Sequence, residues 1–129
     1  MVNIFDIQLY KRENGRVPVE EFLHSLPPKL RAKAYLDIEL LEKHGKDLRE
    51  PYVKPVKGRN FKGLYELRIK FAGDIARIFY FVYYRNQYVL LSGFIKKTMK
   101  TPVREIKTAK QYMEDYKRRC EDEEEQCIF

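Results

Sequence analysis

Over residues 64–71 apolar and charged positions alternate from Tyr65 onward. Tyr65, Leu67, Ile69 and Phe71 fall on one face, and Glu66, Arg68 and Lys70 on the other. This period-two pattern predicts a half-buried strand. Residues 75–84 form a strongly apolar stretch broken only by Arg77, and residues 88–95 form another. Turns at Gly73-Asp74 and at Arg85-Asn86-Gln87 separate the three, so they predict an antiparallel meander. A looser alternation over residues 2–10 runs through Val2, Ile4, Ile7 and Leu9 with a slip at Phe5. It predicts a first strand, closed by the Asn14-Gly15 turn.

Between the first strand and the meander the period changes to that of a helix. Pro18 suits a first helical turn, and Glu20 and Glu21 suit its positive end, so a short helix is expected over residues 19–25. Pro27-Pro28 stops it and starts the next. Leu30, Ala34, Ile38 and Leu41 mark a helix over residues 29–44, capped by Gly45. Residues 50–63 contain Pro51, Pro55, Gly58 and Gly63 and read as a basic loop. After the last strand a second basic loop, residues 96–100, leads to Pro102. Ile106, Ala109, Met113 and Tyr116 then define a helix over residues 103–119. Residues 1–119 read as one domain, and residues 120–129 as a flexible acidic tail. The order β-α-α-β-β-β-α predicts an α+β fold, with helices covering one face of a small antiparallel sheet and leaving the other open.

Charge sharpens this picture. The net charge is +7 over 129 residues, which favours polyanionic partners, nucleic acid first. The cations are grouped. Residues 54–70 hold Lys54, Lys57, Arg59, Lys62, Arg68 and Lys70 against Glu66 alone, and residues 96–110 hold Lys96, Lys97, Lys100, Arg104, Lys107 and Lys110 against Glu105 alone. Residues 111–129 reverse the sign, with seven carboxylates against three cations. Two basic segments flanking a small sheet can form one phosphate-binding surface; solvated loop lysines are the plainer alternative. No apolar run approaches the ~18 residues of a membrane span, and the polar Asn3, Asp6 and Gln8 argue against a signal peptide. Two cysteines, Cys120 and Cys127, supply no disulfide framework, as expected of a cytoplasmic protein.

Familiar catalytic groups are scarce. His24 and His44 lack metal-ligand spacing with any other His or Cys, and no glycine-rich phosphate loop or Ser-His-Asp arrangement is present. No metal and no cofactor are expected. RNA, however, carries its own nucleophile, the 2′-hydroxyl. Lysines and arginines can stabilise a dianionic phosphorane, and a lysine crowded by cations can move protons.

Four stretches, in this order and spacing, resemble the phage-derived, HigB-like branch of the RelE toxin superfamily. They are Leu48-Arg49-Glu50-Pro51-Tyr52-Val53-Lys54-Pro55-Val56-Lys57-Gly58, Leu64-Tyr65-Glu66-Leu67-Arg68, Ala76-Arg77-Ile78-Phe79-Tyr80-Phe81, and Gly93-Phe94-Ile95-Lys96-Lys97-Thr98-Met99-Lys100-Thr101-Pro102. The resemblance spans residues 4 to about 116. It implies a RelE-like fold, metal-independent mRNA cleavage in the ribosomal decoding site, a helix-turn-helix antitoxin as partner, and operator DNA binding only through that complex. By position it implies Arg68 as the phosphate-stabilising arginine and Lys54 or Lys57 as base or RNA grip. Lys96 and Lys97 form a second cluster that binds phosphate or protonates the leaving oxygen. Arg59, Lys62 and Lys100 would add RNA contacts. Arg77 matches a recurrent arginine, with pairing to Glu66 across the strands as its structural alternative. Phe94 would be a base-stacking platform or a core residue. Tyr112 and Tyr116 stand where some relatives place a catalytic aromatic or histidine. Two rival functions share the scaffold: inhibition of DNA gyrase, as in ParE-type relatives, and a non-catalytic nucleic-acid-binding subunit of a toxin–antitoxin complex.

Overall fold

The computed structural model describes residues 5–84 and 86–128. Val2, Ile4 and Arg85, which enter the expected first strand and last turn, lie outside the described residues, as does the side chain of Cys127. The elements are β1 (Asp6–Leu9), α1 (Pro18–Ser25), α2 (Pro28–His44), β2 (Val53–Pro55), β3 (Tyr65–Phe71), β4 (Asp74–Tyr83), β5 (Gln87–Ile95) and α3 (Val103–Ile128). The α+β architecture and the β3–β4–β5 meander are as the hydrophobic pattern predicts.

Four features differ from expectation. The sheet is mixed rather than antiparallel. Its order is β1-β5-β4-β3-β2, and β1 runs parallel to β5, because the chain crosses the sheet through α1 and α2 before entering the meander. Next, the basic loop contains a short strand. β2 pairs antiparallel with β3, placing Lys54 opposite Glu66 and Pro55 opposite Tyr65. A proline is tolerated there because β2 is an edge.

Both faces of the sheet are covered, not one. Leu67, Ile69, Ala76, Ile78 and Leu90 pack under Val19, Leu23, Leu30 and Leu41 of α1 and α2. Phe79, Phe81, Val89, Leu91 and Phe94 pack under Ile106, Ala109 and Met113 of α3. That explains the nearly unbroken apolar run of β4, which is central and buried on both sides. Finally, α3 does not end near Arg119 but continues to Ile128, through the stretch expected to fray. No Gly or Pro interrupts it.

A bulge decides which side chains face α3. Phe79 pairs with Ser92 but Tyr80 pairs with Leu90, so Leu91 is an extra residue on β5. Before the bulge Val89 and Leu91 face α3; after it Phe94 does. Gly93 is turned to the other face, where a Cβ would meet the Phe22 ring of α1 at 2.3 Å. α1 therefore sits directly on backbone that only glycine leaves bare.

Candidate nucleic-acid interface

On the α3 side, the end of the sheet that α3 leaves uncovered is polar. β3 presents Glu66 and Arg68 there, because Tyr65, Leu67 and Ile69 occupy the opposite face. β2 brings Lys54 alongside Glu66. β4 contributes Arg77, opposite Arg68, and the shifted alternation of β5 carries Lys96 to the same side. The result is a cleft of about 470 Å³ lined by Lys54, Lys57, Glu66, Arg68, Lys96 and Lys100, with Met99, Thr101 and Ile106 at its margin. Two basic segments far apart in sequence, around Lys54 and around Lys96, thus meet at one site.

Beneath the cleft lies an unusual pair. Arg77 is 1% exposed and Glu66 7% exposed. The cross-strand Arg77–Glu66 pairing does not form. Glu66 stands opposite Phe79, and the residue opposite Arg77 is Arg68. Glu66 instead accepts a hydrogen bond of 2.8 Å from the Thr101 hydroxyl, which ties the loop over residues 96–102 to the floor of the cleft. The Arg77 guanidinium donates a long bond of 3.4 Å to the Ala76 carbonyl, and its Nε has no partner among the described residues. A buried cation without a bound anion is costly.

The electrostatics follow from this crowding. Burial lowers the pKa of Arg77, and the neighbouring Arg68 lowers it further, with Glu66 partly opposing. Lys96 is also held below the ordinary lysine value, first by burial, then by Arg77, with Arg68 and Lys54 adding and Glu66 opposing. A lysine in that state is more readily deprotonated at neutral pH than a solvated one.

Not every residue singled out from the sequence reaches the cleft. Lys54, Lys57, Arg68, Lys96 and Lys100 line it. Lys97, Arg59 and Lys62 are exposed outside the lining. Phe94 is 8% exposed and stacks on Phe79 at 5.5 Å between centroids. It is a core residue rather than a base-stacking platform, because α3 covers the face on which it lies. Tyr112 stacks on Tyr10 at 4.8 Å, and Tyr116 packs edge-on against Phe81 and Tyr83. Both hold α3 to the sheet. Glu66 and Thr101 acquire roles that residue type and spacing alone did not reveal, since their contact joins positions 35 apart. Met99 is also new, an apolar side chain 94% exposed beside the cations.

A second cleft of about 460 Å³ lies on the opposite face, walled by Tyr65, Tyr80, Tyr88, Val53 and Leu48. Its volume is similar, but its charged groups, among them Lys46, Arg49 and Glu50, are few and of both signs. Of these two clefts, the first concentrates cations. Among the described residues no group of His, Cys, Asp and Glu could hold a metal ion, and no helix is long and apolar enough to cross a membrane.

A family model described as phage-derived protein Gp49-like (DUF891) matches residues 21–114. The matched region includes every residue of the basic cleft. No curated protein matches the chain.

Proposed function

The chain belongs to the phage-derived Gp49-like family, a RelE/HigB-like toxin family of toxin–antitoxin systems, and from that premise we propose that it is a metal-independent endoribonuclease that cuts mRNA on the ribosome and so arrests translation. The observation that carries this reading is the cleft itself. Lys54, Arg68 and Lys96 converge beside the buried Arg77, whose Nε has no partner among the described residues and where a phosphodiester would supply an anion.

In this reading Arg68 and Arg77 hold the scissile phosphate and stabilise the charge that develops on its oxygens. Lys96, with its pKa lowered by burial and by Arg77, takes the proton of the 2′-hydroxyl. That oxygen attacks the adjacent phosphorus, a 2′,3′-cyclic phosphate forms, and the P–O5′ bond breaks. Lys54, on the far side of Glu66, returns a proton to the leaving 5′-oxygen. Glu66 and Thr101 keep the loop closed over the cleft. Lys57 and Lys100 grip the flanking backbone. Met99 offers apolar surface to a base in the place expected of Phe94. The cleft lining holds one carboxylate and no His or Cys, a poor donor set for a divalent ion. Toxins of such systems act with an antitoxin; a helix-turn-helix protein that also carries the complex to operator DNA is the partner proposed.

Reconstituted translation of a defined mRNA, with 5′ ends mapped by primer extension, tests the reading. Cuts are expected that require ribosomes, persist in chelator, and disappear with Arg68→Ala and with Lys96→Ala/Lys97→Ala. An intact message with the wild-type chain would turn attention to supercoiling by purified gyrase and to binding without cleavage.

A further inference from the structure

The acidic end of α3 takes no part in the site, and its own surroundings do not satisfy it. Five consecutive carboxylates, Glu121 to Glu125, follow Cys120, and no cation follows them before the helix ends at Ile128. The cations just before them are already engaged. Arg118 and Arg119 pair with Asp115 at 2.5 and 2.7 Å, Arg119 also donates to the Lys11 carbonyl, and Lys117 lies over the Phe81 ring. Glu121, Asp122 and Glu123 are exposed and form no salt bridge among the described residues. Like charges side by side repel, so these three carboxylates make one negative patch on α3. Among the described residues that patch has no compensating cation.

The complementary surface is the basic cleft, but α3 cannot bring its acidic end there within one molecule. Ile106, near the start of α3, lines the cleft. Glu121 is fifteen residues further along the same helix, about 22 Å at 1.5 Å per residue. The helix runs from the basic cleft toward its acidic end, so the two lie apart in one chain. Two copies related by a twofold axis, with their α3 helices antiparallel, place each acidic end at the other's cleft. Both contacts form at once, and the assembly closes.

We propose that the acidic end of α3 docks in the basic cleft of a second copy of this chain, forming a reciprocal, salt-sensitive dimer in which each cleft is closed to nucleic acid. Glu121, Asp122 and Glu123 meet the exposed Lys57 and Lys100 at the cleft mouth, while Arg104 and Lys107, exposed on the first turns of α3, extend the positive surface along the antiparallel pair. RNA and the acidic segment compete for the same cations, so a long polyanion opens the dimer. The inference rests on the cleft as an anion site and does not require that the site cut RNA.

Sedimentation equilibrium of the full chain is the test. In about 50 mM salt the weight-average mass should rise with concentration from 15.6 kDa toward about twice that value, and return to the monomer near 0.5 M salt. Glu121→Gln/Asp122→Asn/Glu123→Gln and Lys57→Ala/Lys100→Ala should each remain monomeric in low salt. Their one-to-one mixture should regain association, because one intact contact of the two is restored. The carboxylate variant should also show unchanged or higher helicity by circular dichroism, which separates lost docking from lost folding. A wild-type chain that stays monomeric in low salt overturns the inference, as does association that survives either variant. A chain that cuts mRNA yet never dimerises defeats this inference alone; one that dimerises through these surfaces without cutting defeats the ribonuclease reading alone.

Discussion

Arg68 and Arg77 stand directly opposite each other on β3 and β4, on the face that opens into the basic cleft. Like charges in that position are unfavourable for the sheet, and Arg77 is almost wholly buried with its Nε unpartnered among the described residues. Burial alone would select an apolar residue at position 77, which is 1% exposed. The sheet retains a guanidinium there at a cost in stability, as expected where an anion completes the site.

Arg77→Met should therefore stabilise the free protein while disabling it. Replacing a buried, incompletely bonded cation by an apolar side chain of similar length is worth about 1 kcal/mol or more. Urea denaturation should show a higher midpoint for the variant. RNA cleavage, or RNA binding if the chain does not cut, should fall by about a hundredfold, the effect of losing one charge-stabilising donor. A variant that is less stable than wild type would show that Arg77 has bonding that the fold depends on.

In the proposed cleavage, Lys96 ties the rate to pH. Its charged form is disfavoured by burial and by Arg77, so the folded chain binds fewer protons there than the unfolded chain. Between the lowered value and the ordinary lysine value, stability contributed by this group rises with pH, and it falls as pH drops through the lowered value. With neutral Lys96 as base, the cleavage rate should rise with pH along a limb that reports its pKa. Lys96→Arg should abolish the limb with the rate, since arginine stays charged. Lys57→Ala, outside the neighbours that shift Lys96, should leave the limb in place. A limb unchanged in Lys96→Arg would assign the base elsewhere.

Cleft and off-cleft cations should separate in salt titrations of RNA binding. Lys57→Ala and Lys100→Ala should each reduce the slope of log affinity against log salt by about 1. Lys97→Ala and Lys62→Ala, which lie outside the lining, should change it by clearly less. Equal effects from all four would mean that RNA spreads over the basic loops without entering the cleft.

The middle of α3, where it meets Tyr10, should be acid-sensitive. The Tyr10 hydroxyl donates to Asp115 at 2.6 Å, and Asp115 also pairs with Arg118 and Arg119. Burial opposes the carboxylate charge, but the Tyr10 bond and the two arginines prevail and lower its pKa. The stability it contributes is present above the ordinary aspartate value and is lost as pH falls through the lowered one. Tyr10 is pushed up to about 12, by burial first and by Asp115 second, so its contribution holds below the ordinary tyrosine value and is lost as pH rises through about 12. Asp115→Asn should cost about 2 kcal/mol at neutral pH, the weight of charge-assisted bonds in a partly buried site. It should also flatten the acid limb of a stability profile measured in urea. An unchanged acid limb would place the sensitive carboxylate elsewhere.

How far the cleft was legible in advance depends on the range of the interactions that build it. Glu66 and Arg68 share a face because they lie two apart in a strand, a relation local enough to read from alternation. Lys54 was readable as basic but not as a strand residue, because Pro55 beside it signals a loop wherever the strand is not known to be an edge. Phe94 was open between core and platform until α3 was seen to cover its face. Between Lys96 and Lys97, identical in type and adjacent, no local signal chooses. The extra residue Leu91 makes the choice, five positions before Lys96, by shifting which side of β5 faces the cleft.

The alternation of β3, the apolar run of β4, the helix-breaking prolines and the two basic clusters are properties of neighbours along the chain. They suffice for the α+β class, the meander, the polyanion preference and the family resemblance. The parallel docking of β1 on β5, the covering of both sheet faces, the pairing of Arg77 with Arg68 rather than Glu66, and the selection of Lys96 were decided only in the folded molecule. Each depends on strand register or on contacts between residues far apart in sequence, where a shift of one position moves a side chain to the opposite face.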